Sequence, residues 1–232
     1  MKLRRSPDGA AAESFAAAGR PSDATAWRDA SWCALDLEMT GLDPRSDEII
    51  AVGAVPIEEG RIVLGGAMYS LVRTAQRSKH GAVLVHKLRL ADVADAPSLD
   101  EAIDRVLEAM TGRVPVFHTA VIETSFLSRQ FSRRHVRLPA AADTEVLGQH
   151  WLAHRDGDAH ARGISLGRLA GALGQPAEAP HHALGDALTT AKVFVALASL
   201  LDTVAPQTVG TLVGADFRPG DLGGGARRFG PG

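Results

Sequence analysis

The stretch Trp32-Cys33-Ala34-Leu35-Asp36-Leu37-Glu38-Met39-Thr40-Gly41-Leu42 constrains this chain more than any other. It begins as an apolar run suited to a buried strand, and two carboxylates interrupt that run two positions apart. Side chains alternate across a strand, so Asp36 and Glu38 share a face. Two anions side by side repel and lose hydration, which a fold tolerates where a cation lies between them. Gly41 ends the strand close by. The pattern predicts a metal site at a strand end, with its other ligands drawn from elsewhere in the chain.

A chain of 232 residues with 45% apolar composition can build one full core. Its net charge of −2 argues against a protein that coats DNA through bulk positive charge. An enzyme that holds nucleic acid through metal ions and a local basic patch stays open. Cys33 is the one cysteine, which rules out an intramolecular disulfide framework and thiolate zinc clusters and fits a reducing cytosol. Met1-Lys2-Leu3-Arg4-Arg5 is basic as a signal peptide would be, but Glu13, Ser14 and Arg20 break the alanine-rich stretch that follows. The apolar helix face at 193–201 is short for a membrane span. The expectation is a cytoplasmic protein with no membrane partner.

Hydrophobic period and turn chemistry divide the chain. Residues 1–26 read as a mobile N-terminal arm, with a short helix around Phe15 left open, 27–203 as one folded domain, and 204–232 as a Gly/Pro-rich tail that is largely disordered. Strands are expected from 32 up to the Gly41 turn, and at 48–56, 62–72, 114–117 and 139–143, with Glu59-Gly60 as a hairpin turn and 74–81 as a polar loop. Ser98 and Glu101 have the spacing of a capping box that opens a helix over 99–111. Further helices are expected over 122–134, 144–154, 165–174 and 183–201, with a charged loop at 155–162. A meander followed by alternating helices and strands gives an α/β domain with a mixed sheet.

Two later segments carry acids at element ends. His118-Thr119-Ala120-Val121-Ile122-Glu123 passes from a strand into a helix whose first turn holds Glu123, where the macrodipole favours an anion. His181-His182-Ala183-Leu184-Gly185-Asp186 enters a helix with Asp186 among small residues, so backbones can approach closely there. Four carboxylates from three distant segments suit two oxygen-liganded cations, which activate a water and steady a leaving oxygen in phosphodiester cleavage. Histidine, which titrates near neutral pH, suits removal of the water's proton. Arg129, Arg133, Arg134, His135 and Arg137 form a basic cluster open to two readings, a phosphate track or a solvated helix end.

Taken together, Asp-x-Glu-x-Thr-Gly-Leu, His-x4-Glu-x2-Phe-Leu and His-x4-Asp-Ala-x2-Thr-Ala resemble the three motifs of the DnaQ-like 3′–5′ exonucleases, in the branch called DEDDh. That branch includes the proofreading ε subunit of bacterial DNA polymerase III. The resemblance implies a ribonuclease-H-like fold with a five-stranded mixed sheet flanked by helices. It implies two divalent cations, Mg²⁺ or Mn²⁺, held by Asp36, Glu38, Glu123 and Asp186, with His181 as general base and His182 as the weaker candidate. Thr40, Leu42, Val85, His86, His118 and Ile122 would lie near a single-stranded 3′ end, DNA in preference to RNA. A DNA polymerase or repair complex is the implied partner. Motif II departs from the family, with Ile122-Glu123 where Phe-Asp is usual. This leaves open an impaired domain that binds nucleic acid ends without cutting. Asp36 to Pro44 also resembles the oligoribonuclease form of motif I, so a short-RNA exoribonuclease is a further alternative.

Overall fold

The computed structural model describes residues 5–76, 78–156, 163–178 and 180–214, without the side chains of His80, Leu84, Val85 and Asp156. Most of the loop expected at 155–162 and the tail beyond Gly214 lie outside the described residues.

Strand β1 (Trp32–Met39) is the centre of the sheet. It pairs antiparallel with β2 (Ile49–Glu58) and parallel with β5 (Val114–Phe117), which pairs parallel with β6 (Ala142–Asp143). The strand expected at 62–72 is broken into β3 (Arg61–Ile62) and β4 (Met68–Leu71), because Leu64–Gly66 forms a 3-10 turn rather than continuing the ladder. Both pair with β2, so the six strands occupy the five positions expected across the sheet.

Alternation along β1 divides the core. Cys33, Leu35 and Leu37 face a layer built by α1 (Ala10–Ala18), α3 (Leu99–Met110) and α4 (Ala120–Arg133). Trp32 and Ala34 face the opposite layer, which contains α6 (Leu166–Ala172), α7 (Ala183–Val204) and α8 (Val209–Val213). Helix α5 (Thr144–Asp156) follows β6, and Leu147 and Leu152 bury into that second layer. The expected capping box of α3 is present, with Ser98 Oγ accepting from Glu101 N and Ser98 N donating to Glu101 Oε2. Within the segment expected to be a polar loop, residues from His80 form α2 (His80–His86).

The two terminal segments differ from expectation. The N-terminal arm holds α1, whose Ala12 and Phe15 lie on one face and are buried, with Phe15 edge-on to Phe131 at 5.4 Å. The chain continuing from the domain past 204 forms α8, and it pairs with the N-terminal segment through Trp27 N to Gln207 O, Val209 N to Thr25 O and Gly210 N to Asp23 O. Hydrophobic anchors at Phe15, Val209 and Leu212 overcome the small, polar composition around them. Phe15→Ala is accordingly expected to cost about 3 kcal/mol in urea unfolding. An undocked arm would leave the midpoint unchanged.

Helix α7 spans 22 residues at mean hydropathy 1.5, long and apolar enough by length and composition to cross a membrane. Its apolar run is longer than the 193–201 face read from the sequence, since alanines and threonines extend it. Half of its 18-residue apolar window is buried inside the domain, where Ala183, Ala187 and Ala191 contribute to the core.

Candidate active site

On the α7 side of β1, Trp32 and Ala34 enter the core and Asp36 and Glu38 continue the same face. The partner of Asp36 across the β1–β2 ladder is Gly53. A Cβ placed on Gly53 would lie 2.2 Å from Ala183 O and 2.5 Å from Leu184 N, so the first turn of α7 rests on bare backbone. A glycine inside a strand marks such close approach. The signal was legible in the Ile49-Ile50-Ala51-Val52-Gly53 run, yet sequence reasoning passed over it. Beside it, the β1–β2 register shifts between Glu38 and Met39, a bulge that changes the local aim of the strand as it leaves the sheet.

This docking brings Asp186 to β1. Ligand oxygens of Asp36, Glu38 and Asp186 all lie within 4.8 Å of one another. Glu123, in the first turn of α4, stands outside that three-way set. It is close enough to raise the pKa of Asp36, and its Oε2 is buried without a hydrogen-bond partner. Burial pushes Glu38 up to about 7, with repulsion from Asp186 adding to it. Burial likewise pushes Glu123 up to about 7, with Asp143 and Glu38 adding repulsion. Asp36 is driven well above the carboxylate range by burial and then by Asp186, Glu38 and Glu123. Asp186 is raised by burial, an effect opposed by the hydrogen bond from His181 N. Among the described residues, no lysine or arginine forms an ion pair with any of the four. Crowded carboxylates without a cationic partner, one with an orphaned buried oxygen, fit hard divalent cations.

The two histidines before α7 have separate tasks. His181 has a left-handed backbone (φ 60°) and donates its N–H to Asp186 Oδ2 at 2.7 Å, while its side chain is exposed. His182 is the N-cap of α7, and its ring stacks on Tyr69 at 4.6 Å.

A family model described as exonuclease, of the RNase T type, matches residues 33–194, which include every one of these groups. The chain belongs to this exonuclease family. A DNA polymerase III subunit epsilon-like protein of Rhodobacter capsulatus is 34% identical over 181 residues, covering 77% of this chain and 25% of that protein. A PolC-type DNA polymerase III of Thermotoga maritima is 28% identical over 183 residues, covering 79% of this chain and 13% of that protein. This chain thus spans a quarter or less of the length of these relatives. Among solved structures, exonuclease X in complex with 5′ overhanging duplex DNA aligns with a TM-score of 0.61 at 20% identity, covering 79% of this chain and 98% of that one. E. coli exonuclease I in complex with a dA16 oligonucleotide aligns with a TM-score of 0.61 at 16% identity, covering 75% of this chain and 43% of that one. The fold is the ribonuclease-H-like one, a mixed sheet flanked by helices.

Within this exonuclease domain, the other residues singled out from sequence fall into distinct environments. His118 is fixed at both ring nitrogens, with Nδ1 2.9 Å from Thr144 Oγ1 and Nε2 donating to Ile164 O. Burial also lowers its pKa. Thr40 is buried, with its hydroxyl donating to Gln76 Oε1 and accepting from Glu48 N. Leu42 is 69% exposed. Val85 lies on α2, and its side chain is outside the described set. His86 is buried, its Nδ1 accepting from Leu88 N and its Nε2 without a partner. Ile122 is partly buried against the α3–α4 core, and it is Val121 that is exposed, at 73%.

Two acids outside the predicted set shape the approaches. Asp143 accepts from Thr119 N and Ala120 N, holding the start of α4 and so the backbone that carries Glu123. Asp47 accepts from Asp43 N and Lys79 Nζ beneath Gly41, folding the loop that follows β1. Asp47 lies in a polar break, where sequence period carries no signal for a buried carboxylate.

Proposed function

We propose that the protein is a metal-dependent 3′–5′ exonuclease of the DEDDh type, acting on single-stranded 3′ ends and releasing nucleoside 5′-monophosphates. The observation that carries the reading is the cluster of Asp36, Glu38 and Asp186 at the entry of α7, joined by one hydrogen bond to the backbone of His181. Two divalent cations, Mg²⁺ or Mn²⁺, held by these three residues and Glu123, supply the positive charge for phosphodiester hydrolysis. The exposed His181 accepts the proton of the attacking water. Its tie to Asp186 keeps base and ligand in one rigid turn, so the two move together. Leu42 and Val121 offer apolar contact to the terminal nucleotide without reading its sequence. Thr40 and His118 act by holding backbone in place. DNA is favoured over RNA, and a polymerase or repair complex is the proposed partner: two relatives are DNA polymerase III proteins, and the aligned exonucleases X and I are complexed with DNA. The reading goes with a cytoplasmic location.

The test is a 5′-labelled oligonucleotide incubated with Mg²⁺ or Mn²⁺. Stepwise shortening is expected, and His181→Ala should slow it by about 10³-fold. Internal cuts, or cleavage that persists in chelator, would overturn the proposal. Equal-length DNA and RNA strands distinguish this reading from a short-RNA exoribonuclease.

One observation favours a second reading, a domain that binds ends without cutting them: Glu123 stands outside the three-carboxylate set. That reading expects binding without turnover in wild type, and no gain on Glu123→Asp.

A further inference from the structure

The outer face of α4 carries residues that the carboxylate chemistry does not use. Val121, Ser125, Ser128, Arg129, Ser132 and Arg133 are exposed there. They recur at three- and four-residue spacing, so they form one stripe along the helix. Glu123, the one acid of α4, is buried, so the stripe presents hydroxyls and guanidiniums with no carboxylate among them.

The stripe begins at Val121, in the same first turns of α4 as Glu123. Further along it, Arg129 donates to Pro44 O at 2.7 Å, tying the helix to the loop that exposes Leu42. At the far end, α4 runs into a cavity of about 1120 Å³ whose lining includes Arg5, Arg20, Arg113, His135 and Arg137 and, among the described residues, no acid. Arg20 and Arg113 pair with Asp23 and Glu58. No ion pair among the described residues engages Arg5, Arg129, Arg133 or Arg137. Arg134 shows the contrast, since it is bound to Asp100 and Asp104 of α3 and is structural. In a chain of net charge −2, a cationic stripe that starts beside the site and ends in an arginine-lined cavity is a local feature.

We propose that this face of α4 and the cavity beyond it hold the sugar-phosphate backbone of the strand whose 3′ end lies at the carboxylates. The inference rests on the exonuclease reading above. Guanidiniums and hydroxyls bind phosphates without reading sequence, and such binding weakens steeply with salt. Val121 and Arg133 are separated by about 18 Å along the helix. Short strands therefore end before the cavity and long ones reach it. The surface favours long substrates and leaves the chemistry at the carboxylates unchanged.

The experiment measures binding of a labelled trinucleotide and of a long single strand to the full chain in chelator, so that no cleavage is needed. Arg133→Glu/Arg137→Glu is expected to weaken the long strand by at least about 10-fold at low salt. It should also make the salt slope shallower by about 0.7 for each phosphate that the variant no longer neutralises. Trinucleotide binding should not change, and Arg133→Lys/Arg137→Lys should keep most of the affinity. Equal binding of the long strand by wild type and the Glu variant overturns the proposal, as does an equal loss for both lengths. If wild type cuts nothing with any metal and the length-dependent loss still appears, the catalytic reading fails and this surface stands.

Discussion

Gly53→Ala is expected to lower exonuclease turnover by on the order of 10⁴-fold, although Gly53 bears no functional group. The added Cβ would meet the carbonyl oxygen of Ala183 at 2.2 Å and its carbon at 2.3 Å, and these are backbone atoms that no rotamer change can move. Relief requires the first turn of α7 to lift from β2 by about 1 Å, and a displacement of that size in a catalytic site costs roughly 10²-fold. The same turn carries Asp186, which is bonded to His181 N, so the proposed ligand and the proposed base are displaced together and the losses combine. Overpacking should also destabilise the fold by about 1–3 kcal/mol. The check is single-turnover cleavage beside a thermal melt. Full activity in Gly53→Ala would mean that the packing of α7 on the sheet does not position the site.

Asp36→Asn should abolish turnover and, in the absence of metal, make the protein more stable. Burial disfavours a charged Asp36, and repulsion from Asp186, Glu38 and Glu123 adds to it. Asparagine keeps the shape and spares the folded state the cost of burying that charge or taking up a proton to neutralise it. In chelator the variant is expected to melt higher than wild type. On addition of Mn²⁺, wild type should gain much more than the variant, because a ligand that binds only the folded state stabilises in proportion to its affinity. A variant that melts lower in chelator and gains as much from Mn²⁺ would remove Asp36 from the ligand set.

The same crowding gives a pH signature. Burial pushes Glu38 and Glu123 up to about 7 in the folded protein against 4.5 ordinarily, so between those values the folded state holds more protons than the unfolded one. Their contribution is complete below the lower value and is lost as pH rises through the upper one. His86 and His118, lowered by burial, act with the opposite sign as pH falls below 6.5. The carboxylate effect is therefore read as the difference between wild type and Glu38→Gln, which should widen in favour of the variant as pH rises.

How much could be read from sequence depends on the range of the physics involved. The shared face of Asp36 and Glu38 follows from strand alternation. The Ser98–Glu101 cap follows from a three-residue spacing, and the mixed sheet from the order of periodic segments. All are local, and all appear as expected. The break between β3 and β4 and the helix at 80–86 were not foreseen, and for the segment around Phe15 a helix was left open but its docking was not. The break is a local 3-10 turn at Leu64–Gly66, whereas the docking of Phe15 depends on a surface supplied by a residue far away, Phe131. The resemblance placed His118 and Thr40 near the terminal nucleotide, and what the fold adds is that their polar atoms bond to Ile164, Thr144, Gln76 and Glu48.

The sequence by itself determined the chemistry available: the carboxylates, the histidine, and the element ends that carry them. Only the tertiary structure decided how they meet. Asp36, Glu38 and Asp186 come within 4.8 Å because a glycine on the neighbouring strand lets a helix lie directly on the sheet. Glu123 remains at the edge of that group, on a helix held by Asp143. The physical reason is that alternation and spacing fix which way a side chain points along its own element. The distance between elements is set by the side chains, or their absence, at the surfaces where those elements touch.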